Sequence, residues 1–129
     1  MLRRVGLEIK GKKIQVDVKV CNWFERFSGL MFTRREKAKA LLFDFKKSVK
    51  MGIHSLFVFF PFYAIWLNGE GKIIEVQRVE PWRFLILPSE KYVKLIEIPI
   101  NKRYEKAISL LGVTTTNSKS LKRVLSSIN

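Results

Sequence analysis

Residues 51–67 read MGIHSLFVFFPFYAIWL, an almost wholly apolar run broken once by Pro61. A membrane-spanning helix wants about 20 consecutive apolar residues. This run is shorter and is interrupted by Gly52, His54, Ser55 and Pro61. Its Ile, Val, Phe, Tyr and Trp content suits strands instead. It therefore predicts two successive core strands, 53–60 and Phe62–Leu67, hinged at the proline. Strands apolar on both faces must be covered by the rest of the chain, so Phe57 or its neighbours are expected to be fully buried.

The flanking sequence supplies the cover. After Leu67, Asn68-Gly69-Glu70-Gly71 is a turn signal, and 72–79 reads as the return strand of a hairpin. Pro81 and Pro88 bracket 82–87, either an edge strand or an ordered loop. A further strand is predicted over 92–98. Asn101 is placed to cap a helix with Tyr104, Ala107, Ile108 and Leu111 on one side, stopped by Gly112.

Upstream, Ile14, Val16, Val18 and Val20 alternate with Lys13, Gln15, Asp17 and Lys19, the pattern of a half-buried strand. Residues 4–9 form its hairpin partner across Lys10-Gly11-Lys12. Asn22 stands three residues before Glu25, the spacing of a capping box. It predicts a short helix with Trp23, Phe24 and Phe27 on its apolar side, and Gly29 ends it or lets it pack closely. A second helical turn is expected at 34–39 with Thr33 as cap, then a strand over 40–45 with Leu42 and Phe45 or their neighbours inward. A basic loop, 46–50, leads into the central run.

The sum is a mainly β (β-rich α+β) chain of about seven short strands with two or three short helices. It predicts a single compact antiparallel barrel or sandwich over 1–112, followed by a basic C-terminal tail, 113–129, with a last short helix at 121–128. A parallel sheet would need helical crossovers between the central strands, for which there is no room.

Length and composition agree with one domain: 129 residues, 47% hydrophobic, enough for a core. One cysteine, Cys21, excludes an internal disulfide, and with a single histidine no Cys/His zinc site can be assembled within one chain. No metal or cofactor is implied. The basic start has no apolar segment of signal-peptide type behind it, so a cytoplasmic protein without a membrane span is expected.

The net charge of +14 is concentrated. Residues 1–13, 33–50 and 101–129 hold all of the excess, while 14–32 and 51–100 are balanced. Arg3, Arg4, Lys12, Lys13, Lys46, Lys47 and Lys50 are therefore candidate contacts to nucleic acid or another polyanion. The alternative is a solvated, lysine-rich surface.

Catalytic signatures are missing: there is no phosphate-cradling glycine loop and no Gly-x-Ser-x-Gly. A Cys21–His54 nucleophile pair is conceivable. The preferred reading is that Cys21 is a small buried hydrophobe and His54 a hydrogen-bonded core residue. The carboxylates Asp44, Glu75, Glu80 and Glu97 lie on different elements.

Arg26 with Gly29-Leu30-Met31, Leu42-Phe43, Gly52-Ile53-His54-Ser55, Pro61, Leu67 with Gly71 and Val76, Pro81-Trp82, and Leu95-Ile96-Glu97-Ile98-Pro99 together resemble the domain of unknown function 192 family. The match runs from about Lys13 to Gly112, and the His-Ser form is similar to the family's archaeal branch. The resemblance implies a compact β-rich domain with small helices and no established activity. Two departures remove carboxylates. Phe62 and Tyr63 follow Pro61 where the family usually has an apolar residue and then Asp, and Asn68 stands where an acidic residue is common.

Among the matched residues, Arg26 needs an acceptor: a carboxylate, helix-end carbonyls or a bound anion. His54 should be neutral and hydrogen-bonded, or line a pocket. Trp82 either closes an end of the barrel or presents a stacking face. Arg26, His54, Ser55 and Trp82 are thus the candidate site for a small ligand or anion. An enzyme using His54 with a carboxylate or Cys21 is the alternative.

Overall fold

The structure, a computed structural model, describes residues 2–22 and 28–112. The alternating stretch forms a hairpin of β1 (Leu2–Ile9) and β2 (Lys12–Val20), turned at Lys10 and Gly11, both with positive φ. Four more strands follow: β3 (Ala40–Val49), β4 (Phe62–Leu67), β5 (Ile73–Val79) and β6 (Tyr92–Pro99). A single-turn 3-10 helix, Arg35–Lys37, precedes β3. Another, Lys102–Tyr104, runs on into helix α1 over 105–112. The six strands make one curled, half-barrel sheet in the order β1-β2-β3-β6-β4-β5.

Period-two alternation gives the sheet two apolar faces. Tyr63, Ile65 and Leu67 of β4 join Ile96 and Ile98 of β6 and Leu42 of β3 on one face, where Tyr104, Ala107 and Leu111 of the C-terminal helical segment cover them. Phe62, Ala64 and Trp66 join Leu95, Leu41 and Phe43 on the other, which no helix among the described residues covers. That second face is closed by loop residues, including Leu30, Ala38, Val58, Phe60 and Ile86. All six residues of β4 are buried, as expected of a strand packed on both sides.

The mainly β class, the β1–β2 hairpin, the β4–β5 hairpin across Asn68–Gly71 and the strand over 92–98 are all present. Several local expectations need correction. Residues 53–60 are an ordered loop and not a strand, leaving six strands among the described residues. Ile53 makes a single bridge to Ile86, with N–H···O distances of 2.9 and 2.8 Å in the two directions. Ser55 then ties the loop to residues 80–83, and Phe57 turns the chain at φ 59°. The run is also not buried throughout: Val58 and Phe60 are, but Phe57 is 41% and Phe59 61% exposed. The segment 82–87 is the ordered loop that partners it.

The sheet contains one parallel pair, β2 with β3, over Val18–Val20 and 40–42. The crossover between them is residues 21–39, long enough to return the chain to the same edge. Thr33 bonds to the Met31 carbonyl rather than capping the 3-10 turn. Asn101 likewise makes no cap bond, and its carboxamide donates to the Arg35 and Ala38 carbonyls. Phe43 points inward and Phe45 is half-buried. Gly112 is still helical. The predicted helix at 22–29, Arg26 on it, and the tail 113–129 fall largely or wholly outside the described residues.

Candidate functional site

The loop-covered face contains a cavity of about 330 Å³. Its floor is the sheet: Phe43, Phe62, Leu95 and Glu97. Its walls are Gly29 and Leu30 from the crossover and Met51, Ile53, His54 and Val58 from the central loop. The strand pattern puts Glu97 there. It alternates with Ile96 and Ile98, which face the helix side, and stands in register with Leu41 on one neighbouring strand and Ala64 on the other. Small Ala64 leaves the space that the carboxyl occupies. Glu97 is only 5% exposed, and burial pushes its carboxyl up to about 8. At neutral pH it is therefore mostly protonated and can donate a hydrogen bond.

Three further polar groups line the cavity. Ser28 lies at its crossover wall. The Tyr92 hydroxyl donates to the Met51 carbonyl at 2.8 Å. Burial, with a smaller contribution from the charge of Glu97, pushes that phenol up to about 12. His54 Nδ1 accepts from the Leu56 N–H at 3.2 Å, which leaves Nε2 as the ring's donor. Gly29 supplies the closest approach: its φ is +49°, and a Cβ there would lie 3.4 Å from Glu97 Oε1. Trp66 packs edge-on to Tyr92 with ring centroids 6.4 Å apart, its indole N–H buried without a partner. Among the described residues no Lys or Arg lines the cavity.

The other sequence candidates have different places. Ser55 is fully buried and is a structural node. Its hydroxyl donates to the Glu80 carbonyl at 2.6 Å and accepts from the Arg83 N–H at 2.8 Å. Its N–H donates to the Arg83 carbonyl, and its own carbonyl accepts from Trp82 and Val58. Ser55→Ala should therefore destabilise the protein by about 1–2 kcal/mol, because two part-buried backbone groups lose their partner. Urea unfolding checks this, and an unchanged midpoint would contradict it.

Trp82 lies outside the cavity, 48% exposed, edge-on to Phe57 and Phe59 at centroid distances of 5.0 and 5.7 Å. Cys21 follows the end of β2 and is not a lining residue. Arg26 lies outside the described residues. Glu97 is the site residue that inspection of the sequence did not single out. Its signal was a lone acid inside the apolar run Leu95-Ile96-Glu97-Ile98-Pro99-Ile100.

The seven basic candidates are all exposed, and strand register separates them. Lys12 and Lys13 lie at the hairpin tip, with Lys12 eight residues before Val20. Lys47 lies five residues beyond Leu42, the partner of Val20 on the parallel strand β3. Laid end to end that is roughly 40 Å of extended strand. Arg3 and Arg4 sit between, opposite Val18 and Asp17, and Arg4 Nε is 3.1 Å from Asp17 Oδ1.

Fold and cavity together define a small β-rich domain with a half-barrel sheet and a loop-roofed pocket. The chain belongs to the DUF192 family (Uncharacterized ACR), whose sequence profile matches residues 5–109. It is similar to a UPF0127 protein of Pyrococcus furiosus, 28% identical over 91 residues, 70% of this chain and 78% of that one. It is also similar to a UPF0127 protein of Thermococcus sibiricus, 31% identical over 94 residues, 70% of this chain and 60% of that one. The fold is shared with a crystal structure of a protein of unknown function from Novosphingobium aromaticivorans, at TM-score 0.66 and 12% identity, covering 81% of this chain and 77% of the other. No helix among the described residues is long and apolar enough to cross a membrane.

Proposed function

We propose that this domain is a binding module for a small, mainly apolar molecule that carries a hydrogen-bond acceptor, held in the loop-face cavity with its acceptor on Glu97. The observation that carries this reading is the buried carboxyl group placed at the floor of a largely apolar cavity. Concave, largely apolar sites with a few convergent polar groups are the usual form of small-molecule pockets, and about 300 Å³ is the lower end of their range. A carboxyl held protonated by its surroundings acts as a donor. His54, with its proton on Nε2, offers a second. Glu97 itself becomes an anion above about pH 8, which an anionic ligand would meet unfavourably, so a neutral acceptor is the better fit.

The test is ligand-detected NMR with cyclohexanone and cyclohexylamine as probes. The ketone should bind at pH 6 and weaken as the pH passes about 8, where Glu97 loses the proton that it donates. Glu97→Gln should keep ketone binding across that range. Preferential binding of the amine would replace the reading with one in which Glu97 is an anionic partner. Absence of both probes at millimolar concentration would overturn it.

A further inference from the structure

Nine large apolar side chains are exposed among the described residues, and eight of them belong to three loops, 28–35, 50–60 and 81–87; Leu2 is the exception. Phe32 is 70%, Phe59 61% and Phe84 82% exposed. Their placement is not a scatter of single residues. Phe32 stacks on Phe57 at 5.1 Å between ring centroids, Phe57 meets Trp82 edge-on, and Trp82 meets Phe59. The patch continues over Gly52, whose Cα side is covered by Leu85 and Leu87: a Cβ there would lie 2.5 Å from Leu85 Cδ1 and 3.0 Å from Leu87 Cδ2. Contiguous exposed apolar surface of this kind marks an interaction site.

The loops hold the patch outward against a backbone penalty. Phe32, Phe57 and Trp82 all have φ near +60°, a conformation that costs a bulky residue of order 1–3 kcal/mol and persists only where the surroundings impose it. The imposing bonds are the Phe32 N–H to the Phe57 carbonyl, 2.9 Å, and the Trp82 N–H to the Ser55 carbonyl, 2.9 Å. The aromatics thus crown three turns and project from them.

The charge in these loops is mainly positive. Segments 28–35, 50–60 and 80–87 contain Arg34, Arg35, Lys50 and Arg83 and one carboxylate, Glu80, which is paired with Arg78 of β5 at 2.8 Å. Arg35 is turned away to the Ile100 carbonyl. Arg34, Lys50 and Arg83 are exposed, next to or two residues from Phe32, Met51, Trp82 and Phe84. The chain behind them carries a net +14.

We infer that this aromatic, basic-rimmed loop surface docks on an anionic lipid bilayer, with the rings at the headgroup level and the cations on the lipid charges. Aromatic rings with a neighbouring cation are the side chains that interfaces between lipid and water favour, and a positively charged surface is drawn to anionic leaflets over about a Debye length. Attachment of this kind is peripheral and needs no membrane-crossing segment.

Cosedimentation with phosphatidylcholine vesicles, with and without 30% phosphatidylglycerol, tests it on the full chain. Binding should rise at least tenfold with the anionic lipid and reverse in 0.5 M salt. Phe59→Ser with Phe84→Ser, both exposed and so neutral for folding, should lower it about tenfold or more. Arg83→Glu should lower it by a similar factor, and circular dichroism would verify that each variant is folded. No binding to the anionic vesicles at low salt would overturn the inference. So would binding that the two serine substitutions leave unchanged, since charge alone would then explain it. Self-association of the wild type that those serines abolish, without vesicle binding, would assign the patch to a second copy of the chain.

Discussion

Glu97→Gln should stabilise the protein by about 3–5 kcal/mol near pH 9 and leave it within about 1 kcal/mol of the wild type near pH 5. In the unfolded chain the Glu97 carboxyl ionises near its ordinary 4.5, and in the folded protein it holds its proton up to about 8. Between those values the folded state binds more protons than the unfolded state, so stability must fall as the pH rises through that window. The fall is complete above it. Each unit of difference corresponds to about 1.36 kcal/mol. Glutamine keeps the shape and a donor without an ionisable group, so the variant should lack this slope. Urea unfolding of both proteins at several pH values from 5 to 9 measures it. A wild-type-minus-variant difference that stays flat across the range would show that Glu97 does not titrate in this way.

Where the physical signal was local, the sequence was sufficient. Alternation in 13–20 reports a half-buried strand because one face meets the core and the other meets water. Asn68-Gly69-Glu70-Gly71 reports a hairpin because its glycines permit the turn, and Gly71 does adopt a φ of +83°. The central run was legible only in its second half. Phe62–Leu67 lies between β5 and β6 and is hydrogen-bonded to both. Residues 53–60 have the same composition, but their backbone partners are the 80–87 loop, a pairing that no pattern within the run encodes. Glu97 was hidden for a related reason. Its burial follows from lying across from Ala64 and Leu41, residues distant in sequence. The basic residues were visible as counts, but only strand register shows that Lys12 and Lys47 lie toward opposite ends of the sheet.

Phe60→Ala should destabilise the protein by about 3–5 kcal/mol, whereas Phe59→Ala, one residue away, should change stability by no more than about 0.5 kcal/mol. Phe60 is 1% exposed and packs in the loop-side core. Truncating it removes most of a buried ring and leaves a hole that the sheet beneath cannot fill, because the neighbouring strand β4 is pinned by ladders on both sides. Phe59 points the other way, 61% exposed, and its main contact is the edge of Trp82, itself half in solvent. The in-and-out alternation of Phe57, Val58, Phe59 and Phe60 thus survives without a strand, because the loop still has one face on the core. For a chain of this length the Phe60 change should lower the melting temperature by roughly 10–20 °C, and that of Phe59 by no more than a few degrees. Thermal unfolding of the two variants side by side separates this loop from a strand buried on both faces, in which both substitutions would be severe. Equal large losses would mean that the aromatic surface at Phe59 is covered in the folded protein, and the docking surface inferred from its exposure would go with it.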